Sequence, residues 1–170
     1  MSAVDHAVND HVATITLNRP EAMNAVNADL ATALGEALAQ ANDDAAVRVV
    51  VLTGTGRAFC AGADLKAISR GEDIGAQGHP EWGFAGFVQH WSDKPAIAAV
   101  NGVAMGGGTE LALACDLVVA AASATFGLPE VRRGLVAAAG GLLRIQHQIA
   151  PKRAMELALL GEPVDAATAL

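Results

Sequence analysis

The run Gly106-Gly107-Gly108 limits what this chain can fold into more than any other feature. It lies in Asn101-Gly-Val-Ala-Met-Gly-Gly-Gly-Thr-Glu-Leu111, after a strand-like stretch at 95–100 and at the start of a segment that reads as a helix to about residue 114. Glycine in a helix costs roughly 1 kcal/mol against alanine. Three in a row therefore imply that something approaches the backbone closely. The helix either packs tightly on a strand, or its free N–H groups and positive dipole end receive a developing negative charge. Glu110 carries the same two readings: a residue that merely suits the first helical turn, or a group with chemistry to do.

Around this run strands and helices alternate, which places the chain in the α/β class. Residues 12–17 alternate in polarity as a strand does, and residues 3–9 can pair with them across Asp10-His11. Residues 27–42 read as a helix, with Asn27 as N-cap and a stripe of Leu30, Leu34, Ala37, Leu38 and Ala41. The β-branched runs at 48–53 and 116–121 read as buried strands. Residues 69–90 are irregular and read as a loop or a mobile helical flap. Helices follow at about 139–148 and 151–160, and the last six residues look like the start of another.

Composition excludes several classes of function. The longest uncharged stretch, 95–109, contains Asn101 and four glycines and is shorter than the ~18–20 apolar residues of a membrane span. The N-terminus lacks the pattern of a signal peptide. A net charge of −7 argues against a general nucleic-acid surface. The two cysteines, Cys60 and Cys115, read as free buried thiols in a reducing cytoplasm. The five histidines show no metal-ligand spacing, so no metal site is expected.

Two further segments accompany the glycine run. Ala58-Phe-Cys-Ala-Gly-Ala-Asp-Leu65 follows a strand and its loop, and Gly62 permits an unusual backbone that leaves N–H groups open. Alone, it reads better as a tight turn before a helix capped by Asp64. Ala124-Thr-Phe-Gly-Leu-Pro-Glu-Val131 puts Pro129 at the first position of a short helix with Glu130 next to it. Glu130 follows Glu110 by 20 residues, so only a fold can bring the two together.

Together, and in this order, the three segments resemble the enoyl-CoA hydratase/isomerase, or crotonase, family. The resemblance extends to Asn18-Arg19-Pro20-Glu21 with Asn24-Ala25, to Lys94-Pro-Ala-Ile-Ala-Ala-Val-Asn-Gly102, and to Gly161-Glu162-Pro163, covering nearly the whole chain. It implies one core domain over 1–170, a spiral of ββα repeats, and assembly as trimers or hexamers. It also implies a C-terminal helical portion that this sequence is expected to lack. Ala63 and Gly107 would donate backbone N–H groups to the thioester oxygen of an enoyl-CoA substrate. Ala61, Asp64, Leu65 and Lys66 would line the coenzyme A site. Glu110 would help to activate water for attack on Cβ, and Glu130 would deliver the proton to Cα. Coenzyme A arrives as part of the substrate, so no separate cofactor is expected.

Retention of both glutamates favours a hydratase over a Δ3-Δ2-enoyl-CoA isomerase, which needs one carboxylate, or a non-catalytic acyl-CoA binder, which needs neither. Family members carry a Pro-Asp-Ala-Gly-Gly-like stretch where this chain has Val136-Ala-Ala-Ala-Gly-Gly141, so no role is assigned there. Trp82, Phe84, Phe87 and Trp91 either cover an acyl chain or pack beneath a loop.

Overall fold

The computed structural model describes residues 2–170. Strands β1 (Val4–Asn9) and β2 (Val12–Leu17) form an antiparallel hairpin. Its two turn residues, Asp10 and His11, both have positive φ, which suits the right-handed twist of the strands. Helix α1 (Ala28–Asp43) starts where Asn27 accepts a hydrogen bond from the Leu30 N–H at 3.0 Å. Its expected stripe is buried, and Leu30, Leu34 and Leu38 each contribute roughly 1.5–3 kcal/mol of apolar burial.

From there the chain repeats one motif. β3 (Val49–Gly54), β4 (Ala58–Cys60) and α2 (Leu65–Ser69) make the first turn. β5 (Ala96–Val100), β6 (Val103–Met105) and α3 (Gly107–Ala114) make the second. β7 (Leu117–Ala120), β8 (Thr125–Gly127) and a 3-10 turn (Pro129–Arg133) make the third. The first strand of each turn joins a five-stranded sheet ordered β1-β2-β3-β5-β7. The second joins a smaller sheet ordered β4-β6-β8-β9, closed by β9 (Val164–Asp165). This is the expected ββα spiral. Helices α4 (Gly141–Gln148), α5 (Pro151–Leu160) and α6 (Ala166–Ala169) complete the described chain.

The main core lies between the larger sheet and α1, with Ala13, Ile15, Leu17, Val50 and Leu52 fully buried. A smaller cluster of Leu128, Ala137, Ile145 and Ala154 lies under α4 and α5. Two expectations need correction. The strand read as buried at 116–121 is β7, exposed along its length, with Leu117 60% and Val119 64% exposed. A β-branched run shows that a strand forms but not that both its faces are covered, and among the described residues β7 pairs only with β5. The segment at 69–90 is not a free flap. It forms two 3-10 turns, Pro80–Trp82 and Phe84–Gly86, with Ala85 to Val88 buried. A Cβ on Gly86 would collide with Ala31 O, and one on Gly35 with the Trp82 ring, so glycines on both sides let the segment press against α1. Trp82 stacks between His79 and His90 at ring separations of 3.7 and 4.3 Å.

Candidate active site

β4, β6 and β8 run parallel, paired through Cys60↔Ala104 and Met105↔Gly127. Their carboxyl ends therefore lie side by side, and the segments leaving them meet at one place. These are the three motif segments of the sequence, and each is the same step in a successive turn of the spiral.

The junctions are tight. Gly106 donates to Gly127 O at 2.8 Å. Thr109 Oγ1 donates to Ala104 O or Gly127 O, at 2.8 and 2.9 Å, and accepts from the Gly127 N–H at 3.1 Å. A Cβ on Gly108 would overlap Cys60 O, and one on Gly62 would come within 3.0 Å of Gly107 N. Tight packing and an open backbone, offered as alternatives by the sequence, therefore hold together. Gly108 serves the packing, while Gly107 begins α3 with its N–H at the helix end. Among the described residues neither the Ala63 nor the Gly107 N–H donates to another backbone or side-chain group.

A cleft of about 940 Å³ opens over these segments, lined among others by Ala61, Ala63, Leu65, Phe84, Gly107, Glu110 and Glu130. Leu65 is 40% exposed at its rim. Asp64 and Lys66 face elsewhere. Asp64 caps α2, accepting from the Lys66 and Ala67 N–H groups, and pairs with Arg19 at 3.2 Å. Burial alone would raise its carboxyl, but the Ala67 N–H and the Arg19 guanidinium outweigh that and hold it below the usual range. Lys66 is exposed.

The two glutamates share the cleft. Glu110 is 3% exposed, and its Oε1 accepts the Gly141 N–H at 2.9 Å. Burial raises its carboxyl, the Gly141 N–H opposes this, and the nearby Glu130 charge raises it further. Glu130 leaves the 3-10 turn just after Pro129. A Cβ on Gly106 would sit 2.8 Å from Glu130 Oε1, so only glycine leaves this carboxylate its place. Gly106 also has φ +56°, in the left-handed region. Burial pushes the Glu130 carboxyl up, and its Oε2 is buried without a hydrogen-bond partner among the described residues.

Several contributors escaped the sequence reading. Gly141, in the stretch given no role, supplies the N–H on Glu110. The Gly140-Gly141 pair ahead of an amphipathic helix was the available signal. Phe84, which the sequence offered either to an acyl chain or to packing beneath a loop, covers the Gly107 backbone, where a Cβ would strike its ring. Asn24 is fully buried and donates to Ala58 O at 2.9 Å and Phe59 O at 3.1 Å, fixing β4 from outside. Nothing local in Asn24-Ala25 announces that reach.

Comparison with known proteins agrees with this architecture. Residues 7–170 match the family model described as enoyl-CoA hydratase/isomerase. The chain is 49% identical to a mevalonyl-coenzyme A hydratase of Beauveria bassiana, over 89% of this chain and 57% of the relative. It is 45% identical to a carnitinyl-CoA dehydratase of Salmonella paratyphi B, over 95% of this chain and 62% of the relative. The crystal structure of a carnitinyl-CoA hydratase from Mycobacterium avium superposes with a TM-score of 0.97 at 58% identity, covering all of this chain and 66% of that one. The chain thus spans about three fifths of the two curated relatives' length.

Proposed function

The chain belongs to the enoyl-CoA hydratase/isomerase family, and from that premise we propose that it adds water to a 2-enoyl-CoA thioester. The observation that carries this reading is the pair Glu110 and Glu130 in one cleft, beside the unengaged N–H groups of Ala63 and Gly107.

The thioester oxygen lies between the Ala63 and Gly107 N–H groups. Water attacks Cβ as ionised Glu110 takes one of its protons, and the C=C electrons move towards the carbonyl to give an enolate. Protonated Glu130 then delivers its proton to Cα. One C–O and one C–H bond form, one O–H bond of water breaks, and exchange of a proton between the carboxyls restores the starting state. Burial raises both carboxyls and Glu110 is the more buried, so the difference lies in hydrogen bonding: Glu130 Oε2 has no donor among the described residues, which supports its role as the neutral acid. The Gly141 N–H supports Glu110 as the base, because a donor favours the ionised form. An oxyanion donor of this kind is worth about 3 kcal/mol in the transition state.

Ala61 and Leu65 lie in the cleft and are assigned to the acyl-CoA. Asp64 shapes the turn that carries Ala63, and Lys66 is left to the solvent-facing phosphates. Coenzyme A enters as part of the substrate, with no further cofactor in the scheme. The domain assignment is a single crotonase-like core over 1–170 in the cytoplasm, assembling as a trimer or hexamer where the family's C-terminal helical portion is present. Two buried free thiols suit that compartment. No helix among the described residues is long and apolar enough to cross a membrane. Incubation with crotonyl-CoA tests the reading. Loss of enoyl absorbance with 3-hydroxybutyryl-CoA appearing supports it, whereas proton exchange without net hydration supports the isomerase.

A further inference from the structure

Arg144, in the first half of α4, is partly buried and committed to two backbone carbonyls. One guanidinium nitrogen donates to Ala139 O at 3.0 Å and another to Val88 O at 2.7 Å. Both residues line the cleft. Ala139 lies in the turn that ends at Gly141, whose N–H holds Glu110 Oε1. Val88 lies four residues beyond Phe84, in the segment that covers Gly107. The fit is close: Gly140 has φ +94°, and a Cβ there would collide with the guanidinium. A planar fork can bind two carbonyls in fixed directions, which the point charge of a lysine cannot do.

We propose that Arg144 is a positioning residue for hydration: it locks the 139–141 turn against the Val88 wall, so that the Gly141 N–H holds Glu110 in register with the Ala63 and Gly107 donors. This rests on the reading of Glu110 as the water-activating base. Two charged groups act on the Glu110 carboxyl, Glu130 from the 3-10 turn and Arg144 from α4. Burial pushes it up, as does Glu130 when ionised, while Arg144 pulls it down. Removal of Arg144 therefore moves Glu110 ionisation to higher pH. A base must be ionised to act, so the low-pH limb of kcat/KM moves upward with it.

The test compares the wild type with Arg144→Met and Arg144→Lys, measuring turnover of crotonyl-CoA, binding of saturated butyryl-CoA by calorimetry, and Glu110 titration by carbon-13 NMR. A misplacement of about 1 Å costs on the order of 100-fold in rate. For Arg144→Met we expect kcat to fall about 10- to 100-fold, butyryl-CoA affinity to stay near wild type, and both the low-pH limb and the Glu110 titration to rise. Arg144→Lys retains the charge, so its titration stays near wild type while kcat still falls. Unchanged kcat in Arg144→Met overturns the proposal, as does a fall matched by lost affinity with Glu110 titrating normally. If Arg144→Met does not fold, Arg144→Lys decides, and unchanged kcat there overturns the proposal. If the wild type hydrates no enoyl-CoA, the functional reading fails while the Glu110 titration still judges Arg144: an upward shift in Arg144→Met supports the contact, and no shift overturns it.

Discussion

Glu110 and Glu130 differ in what surrounds them more than in what they are. One is held by an N–H, whereas the other keeps a buried oxygen unpaired among the described residues. Replacing either with glutamine is expected to lower kcat for crotonyl-CoA hydration by about 10²- to 10⁴-fold, with KM far less affected, as steady-state kinetics will show. The same substitutions should raise stability. Both carboxyls are raised in the folded chain, so between the unfolded and folded values the folded state binds more protons than the unfolded one. Stability therefore falls as pH rises through that window. Thermal melts should place Glu130→Gln above wild type at about pH 7.5 and level with it near pH 4. The sequence showed both glutamates as helix-start residues but carried no sign of their environments. Burial and an N–H from 31 residues away are properties of the folded chain, and no local pattern encodes them.

The strand-to-helix junction is the working element, and glycine is what makes it. Gly106→Ala puts a methyl against Glu130 Oε1 at a φ that alanine rarely adopts. We expect it to cost about 1–3 kcal/mol of stability and to lower activity by displacing Glu130, measured by denaturant unfolding and by turnover. Asp64→Ala removes the α2 cap and the partner of Arg19, a loss of about 1 kcal/mol. Because ionised Asp64 is favoured in the fold, its contribution is present above the unfolded carboxylate pKa and is lost as pH falls through the lower folded value. The stability difference between wild type and Asp64→Ala, followed by melts across acid pH, should shrink in that range. At this scale the sequence was largely legible. The hairpin, α1, α3 and the Pro129 turn follow from caps, periodicity and turn chemistry. The short strands β4, β6 and β8 were not marked, because three residues are too few to show a period.

For the whole molecule, β1 and β7 are the edge strands of the larger sheet, and β7 is the apolar one. β7 presents an exposed apolar edge to the larger sheet, and Leu143, Met155 and Leu159 are exposed on α4 and α5. Unpaired apolar edges invite association. Sedimentation of this chain should reveal species larger than the monomer, and Val119→Lys should shift the population towards the monomer without loss of helical or sheet signal in circular dichroism. That edge was hidden from the sequence because pairing partners, not residue types, decide which strand is last.

The pairing of Cys60 with Ala104 and of Met105 with Gly127 has one more consequence. The parallel ladder acts as a ruler, holding the ends of β4, β6 and β8 side by side through strand pairing, with one register shift between Ala58 and Cys60, rather than through the length of chain between turns. Loop length between turns can vary only where nothing reaches back to the site, and the stretch 80–88, pressed on α1 and over Gly107, is not such a place. Position is thereby set by the ladder, while the cover over Gly107 is set by the segment between β4 and β5.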